Sequence, residues 1–358
     1  AMGQLVFFAQ FLQVSGRFEA WVRDCPWTYT SPNAPQVRDV LGTALLAVLA
    51  GHHRYAHINS LRFDTVNPPL LNLRRVASED SVRQALKRSQ HSAAQTAQVA
   101  TWQQRHLHES YAPLLSVPWI LDIDATIKPI YGHQQGAEIG YNPHKPGRPA
   151  HVYHSYLMGA ARLVLDVEVQ PGKQTAAHHA LPGLWRLVAA LPAPARPWLV
   201  RGDCHFGNER VLAEAESRAQ AYLFKLRLTR KPKDLIRLLE GQGGWVPAGQ
   251  GWEGQEATLK LLGWSRARRV IVIRRPLKPT PAQTGVPLPE TTRPWLLPWK
   301  EATVVASAPE YEYAVLVTSL TESLLAVAQL YRDRGDAENN FDELKNQWGW
   351  GGFTTHDL

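Results

Sequence analysis

The segment Ile120-Leu-Asp-Ile-Asp-Ala-Thr-Ile127 constrains this chain more than any other. Apolar and polar residues alternate along it, the period-two pattern of a strand. Leu121, Ile123 and Ile127 then share one face, and Asp122, Asp124 and Thr126 share the other. Trp119 and Ile120 before it, with Ile127 at its end, are too apolar for a sheet edge. The strand is therefore expected to be central. Two carboxylates there are costly unless they bind a cation.

The segments after this strand set the fold class. Residues 151–158 and 162–169 read as two more strands, with Gly159 in the turn between them. Residues 178–191 read as a helix and 197–203 as a short apolar strand ending on Asp203. A helix over 208–218 and a strand over 222–226 come next. The order β-β-β-α-β-α-β predicts a mixed α/β layer. Acids at the carboxyl ends of strands lie where such sheets place ligands, which makes Asp203 a candidate alongside Asp124.

Residues 1–115 read as a helical domain. Val40, Leu41, Ala44, Leu45, Val48 and Leu49 mark one helical face that Gly51 stops. Ser81 and Gln84 resemble a capping box opening a helix through Arg88. The region holds 11 Lys/Arg and 7 Asp/Glu, a net of +4. It suits a small DNA-reading domain, with Arg83, Lys87 and Arg88 on the contact face. The whole chain, 358 residues with a net charge of +8, suits a polyanionic partner. Its 44% apolar content excludes wholesale disorder. No apolar run reaches the ~18 residues of a membrane span, so no transmembrane helix is expected, and two cysteines far apart point to the reduced thiol state of a cytoplasmic protein. Cys25 and Cys204 stand far apart, which excludes a cysteine zinc site. The Ala1-Met2-Gly3 start reads as a tag remnant.

Residues 229–310 interrupt the pattern with Gly241, Gly243 and Gly244, an apolar strand over 270–273 and seven prolines between Pro276 and Pro298. They are expected to form a β-rich insertion with a proline-stiffened connection. The core then resumes over 311–358, with a strand at 313–318 and one long helix over about 322–347. The first part of the core is accordingly 116–228.

The long helix carries the most specific pattern. Tyr331, Arg334, Glu338 and Lys345 stand at offsets 0, 3, 7 and 14. At roughly 100° per residue these fall in one ~60° sector. The stripe offers an aromatic, two cations and a carboxylate. Three carboxylates from two strands and a helix are what two-metal phosphoryl transfer needs, and neighbouring cations hold DNA phosphates.

These residues resemble the DDE transposases of bacterial insertion sequences, in the insertion-sequence-four group with the Y-x2-R-x3-E-x6-K signature. Tyr331, Arg334, Glu338 and Lys345 match it at every position. Asp124-Ala-Thr126 resembles the first acid motif and Arg201-Gly-Asp203 the second; the resemblance runs over roughly 116–358. It implies an RNase H-like mixed-sheet core with the insertion before the catalytic helix. It implies Asp124, Asp203 and Glu338 as catalytic ligands of two Mg²⁺ ions, with Mn²⁺ as substitute. The implied chemistry cuts transposon ends, through a hairpin, and joins the freed 3′-hydroxyl to target DNA. The implied partners are double-stranded DNA, as terminal inverted repeats and target, and a second copy of the chain in a synaptic homodimer. Arg334 and Lys345 are assigned to backbone phosphates, Tyr331 to the same DNA, and Lys225 and Arg227 to phosphates from the strand entering the insertion. Tyr313, before Trp252 and Trp264, is the first choice to receive a flipped base. Many relatives continue with a further helical region; here Leu358 comes soon after the signature, so a compact member and a truncated chain are both open.

Lys145 and Arg148 lie in the polar loop Tyr141-Asn-Pro-His-Lys-Pro-Gly-Arg148 and are read as phosphate binders. The fourteen histidines fit no common zinc spacing, His151/His154 and His178/His179 included. Two other functions compete with the transposase reading. A catalytically idle, transposase-derived DNA-binding regulator has only the early chain end behind it. A DxD glycosyltransferase explains Asp122 and Asp124 and leaves the helical stripe unexplained.

Overall fold

The structure is a computed structural model; residues 3–89, 91–277 and 310–348 are described. The proline-rich connection expected between 276 and 298 lies almost wholly outside the described residues, as do the glycines expected to end the last helix. The chain divides into two compact units, 1–198 with 335–358, and 199–334.

The first unit opens with helices α1 (Gly3–Val14), α2 (Arg17–Arg23), α3 (Val37–Leu49), the single turns α4 (Ile58–Leu61) and α5 (Asn67–Leu70), then α6 (Glu79–Arg88) and α7 (Ala93–Tyr111). Leu5, Phe18, Val40, Leu46, Ile58, Leu71 and Val82 form their shared core. Gly51 takes the left-handed conformation (φ 72°) just past α3, as a helix-stopping glycine should. The helix ending at Arg88 begins earlier than expected. Ser78, not Ser81, is its cap, and the Ser78 hydroxyl accepts from the Ser81 amide. Glu79 and Asp80 then fill the first turn, where the helix dipole favours them.

Strands β1 (Ile120–Pro129), β2 (Glu138–Ile139), β3 (Pro149–Met158) and β4 (Leu163–Pro171) come next, and α8 (Leu181–Ala190) closes this run. β1, β3 and β4 form an antiparallel meander, with β2 on the start of β3. On the face away from Asp122 and Asp124, Tyr156 Oη lies 2.9 Å from Glu168 and 2.7 Å from the Ala180 carbonyl. Arg186 of α8 pairs with Glu168 at 2.5 Å. This polar lock fastens α8 to the sheet.

The second unit holds β5 (Leu199–Gly202), α9 (Glu209–Ser217), β6 (Ala221–Lys225), α10 (Arg230–Gln242), β7 (Val246–Gly249), β8 (Trp252–Leu259), β9 (Arg268–Pro276), β10 (Tyr311–Thr318) and α11 (Leu324–Arg332). β5 and β6 are parallel across the α9 crossover, and β10 runs antiparallel to β6. An antiparallel meander and then a parallel βαβ step is the chain order of an RNase H-like mixed α/β core. The segment read as an insertion supplies α10 as well as strands. Its β9 pairs along β10 from Tyr311↔Pro276 to Val317↔Val270, so these strands extend the unit's sheet.

A buried arginine ties β9 to α9. Arg268 is 4% exposed and reaches Glu209 (2.6 Å) and both oxygens of Glu216 (2.7 and 3.0 Å). Burial alone would raise the Glu216 carboxyl, but hydrogen bonds from Arg268, Arg266 and Tyr222 outweigh it and hold its pKa at about 2. This stabilisation is complete above the ordinary value of 4.5 and is lost as pH falls toward 2. Urea midpoints measured across that window should fall steeply for the native chain. In Glu216→Gln this part of the slope should be absent.

The helix expected over 322–347 is two helices. α11 ends at Arg332, and α12 (Gly335–Asn346) belongs to the first unit. Asp333 caps α11, its carboxylate accepting from Gln329 Nε2 at 2.6 Å, and the Arg334 amide donates to the Tyr331 carbonyl at 3.2 Å in a tightened turn. Gly335, a poor helix former, comes immediately after.

Candidate active site

β1 presents its acids as its alternation requires. Leu121 and Ile123 are buried on one face. On the other, Asp122 stands opposite Leu157, Asp124 opposite Ser155 and Thr126 opposite Tyr153. Asp122 is 1% exposed and Asp124 half-buried. The Thr126 hydroxyl donates to Asp124 at 3.3 Å.

α12 packs on this same face. Ala337, Phe341 and Leu344 cluster with Leu157 and Val164, and Leu157 is the cross-strand partner of Asp122. The approach is close at Gly159. A methyl group there would come within 2.7 Å of Asp122 Oδ2 and 3.2 Å of the Ala337 methyl. Asn340 Nδ2 donates to the Gly159 carbonyl at 3.2 Å. Glu338, next to Ala337 and about 100° round the helix, is exposed. Two of the three expected acids thus belong to one sheet face and the helix laid on it. Lys345 is in α12 also, with its side chain outside the described part of the structure.

The second unit carries the other candidates. Asp203 lies just past β5 and closes an Asx turn, its carboxylate accepting from the His205 amide at 2.9 Å. Asn208 then caps α9. The buried Arg201 donates to the Leu330 carbonyl, which fastens α11 over β5. Tyr331 is the next residue of α11 and half-buried; Arg334, in the turn after it, is buried. The register Arg201↔Leu223 puts Lys225 on the Arg201 face, and Arg227 is exposed just beyond. The break at Asp333 and Arg334 means that Tyr331, Arg334, Glu338 and Lys345 do not lie on the one continuous helix from which their single angular sector was expected.

Tyr313 lies in an aromatic and charged cluster. Its hydroxyl donates to Glu240 at 2.8 Å, and burial with that bond pushes its pKa up to about 12. Trp245 and Tyr311 lie 6.4 and 6.2 Å from its ring, and Arg274 stacks on both. Trp252 and Trp264 are covered by Arg275 and Arg268.

The loop bearing Lys145 and Arg148 has an element the sequence did not single out. Tyr131 is 67% exposed, and both cations lie over its ring at 4.9 and 4.7 Å. Lys145 Nζ also contacts the Tyr131 hydroxyl, which lowers the phenol's pKa. The Asn142 side chain shapes the loop by accepting from the His144 and Lys145 amides. His151 and His154 are held to the Gln135 and Gln174 carbonyls.

Among the described residues, no group of three or more His, Cys, Asp or Glu is gathered as a ready metal cluster. The donors on the β1 face nevertheless suit a hard divalent cation. They are carboxylate oxygens. Beside them, Ser155 Oγ is buried with no hydrogen bond among the described residues.

Residues 10–283 match the family described as Transposase DDE domain, group 1. The match covers more than half of the sequence, and the chain belongs to this family. It takes in Asp124 and Asp203, stops short of Glu338, and reaches into the N-terminal helices, further than the resemblance over 116–358. Curated proteins give no match. Among solved structures the chain is similar to a piggyBac transposase, determined by cryo-EM as a synaptic complex with hairpin DNA. The identity is 11% and the TM-score 0.43, over 96% of this chain and 66% of that one. No helix among the described residues is long and apolar enough to cross a membrane.

Proposed function

We propose that the chain is a DNA transposase of the insertion-sequence-four group. It cuts transposon ends, through a hairpin, and joins the 3′-hydroxyl to target DNA. The observation that carries the reading is the docking of α12, one residue from Glu338, against Asp122 through Gly159. Family membership supports it. Asp124, Asp203 and Glu338 would hold two Mg²⁺ or Mn²⁺ ions. Such ions, when bound, activate an attacking oxygen and stabilise the leaving one. The chain's own part is to aim carboxylate oxygens from a rigid strand, a strand end and a helix. It also keeps the floor of the site dry through Leu157, Ala337 and Phe341.

The cations position the DNA. Arg334, Lys345, Lys225 and Arg227 take backbone phosphates near the cleaved end, beside Tyr331. Tyr313 receives a flipped base. A homodimer brings two ends together. The test is a labelled end duplex incubated with Mg²⁺ or Mn²⁺ and resolved on a denaturing gel. Nicked and hairpin products that vanish with EDTA support the reading, and an intact duplex under all conditions overturns it.

Lys145 and Arg148 bind phosphate in this reading, with Tyr131 holding them extended. Replacing either with alanine should weaken binding uniformly across sequences. The slope of log affinity against log salt should become shallower by about one unit each. Filter-binding titrations across a salt series measure it.

A further inference from the structure

Helix α1 is apolar on two opposite sides, and only one of them is covered. At roughly 100° per residue, Leu5, Ala9 and Leu12 fall in one sector, and they pack into the helical core. Phe7, Phe11 and Val14 fall in a second sector of about 60° on the far side, with Phe8 beside it. Phe7, Phe8, Phe11 and Val14 are 71%, 52%, 60% and 82% exposed. Apolar residues scattered singly over a surface are ordinary, but four gathered on one helix mark a contact surface.

The composition of the helix narrows the partner. No charged residue occurs between Gly3 and Gly16. DNA does not fit this face, because its phosphates call for cations. A helix lying on a membrane carries Lys or Arg along its polar side, whereas the exposed polar residues of α1 are Gln4, Gln10 and Gln13. An aromatic centre with an uncharged rim is the make-up of a protein interface. A second copy of the chain matches it in particular. The chain carries a net charge of +8, so two copies repel over much of their surface, and α1 lets them meet without opposed like charges. Glutamine amides both donate and accept, so two identical rims can bond to each other. The four apolar side chains offer about 500 Å² per copy, and a pair would bury about 1,000 Å² before the glutamines are counted, the size at which specific interfaces begin.

We propose that a second copy docks here, α1 against α1 about a two-fold axis, with Phe7, Phe8, Phe11 and Val14 as the core of the contact. A two-fold axis brings the same patch of both copies together and closes the assembly at two. The surface stands on the helix itself; that the pair it makes is the one that brings two transposon ends together rests on the transposase reading.

The test is the mass of the full chain by sedimentation over a concentration series, without DNA. The native chain should pass from one copy to two, with a midpoint in the micromolar range that suits an interface of this size. Phe7→Gln combined with Phe11→Gln removes four phenylalanines from the pair and should weaken it by at least about 10²-fold. Both side chains face solvent in the single copy, so the double variant should keep the native circular dichroism and, at concentrations where the native chain is single, a native Tm. Loss of the pair with the fold kept supports the proposal. A native chain that stays single up to about 100 µM, or a double variant that pairs as the native chain does, overturns it. Neutral lipid vesicles that take up the native chain and not the double variant would also overturn it, by assigning the stripe to a membrane surface. Absence of strand cleavage would remove the transposase reading and leave the measured mass unaffected, so the two failures are told apart.

Discussion

Glu338→Gln should bind transposon-end DNA as the native chain does and fail to cut it. The amide keeps the size and the helix propensity of the carboxylate but loses the charge a cation needs. Losing a metal ligand removes several kcal/mol of transition-state stabilisation, so cleavage should fall by at least about 10³-fold. Glu338 is exposed and outside the Ala337–Phe341 contact with the sheet, so the fold should be untouched. Binding by gel shift and cleavage on a denaturing gel separate the two properties. A Glu338→Gln protein that still nicks end DNA with Mg²⁺ would remove Glu338 from the catalytic set.

Gly159→Ala should damage the same reaction without touching an acid. The added methyl meets Asp122 Oδ2 at 2.7 Å and Ala337 at 3.2 Å, in a buried seam that also holds the Asn340 bond. Asp122 has a short side chain and is buried, so α12 is expected to lift. Overpacking of this kind costs about 1–3 kcal/mol of stability. Displacing a catalytic group by about an ångström costs on the order of 10²-fold in rate. A lowered Tm together with a cleavage defect larger than any loss in DNA binding is the expected pattern. Native-like cleavage in Gly159→Ala would show that α12 does not need this seat.

Period-two alternation made β1 and its acid face readable, because strand geometry forces that pattern directly. The position of Gly51 likewise announced the end of α3. The break after α11 was not readable from periodicity. Tyr331, Arg334, Glu338 and Lys345 keep a helical spacing across it, and the interruption comes from the Asp333 cap and Gly335 acting together. α10 was hidden by Gly241, Gly243 and Gly244, which signal turns, while only Pro232, Ile236 and Leu239 are buried along it. Gly159 read as a turn residue; its second task exists only once α12 lies on β3. Tyr131 became visible only when loop closure brought Lys145 and Arg148 over its ring.

The turn at Asp333 and Arg334 also decides which changes in chain length can be tolerated. A continuous helix transmits any inserted residue as a rotation of about 100° to everything beyond it. Here that transmission stops at the turn, since α12 takes its angle from Gly159, Leu157 and Val164. A residue gained or lost before Ala337 should therefore leave the bearing of Glu338 unchanged, whereas the same event between Ala337 and Phe341 should turn the carboxylate relative to the residues that seat the helix.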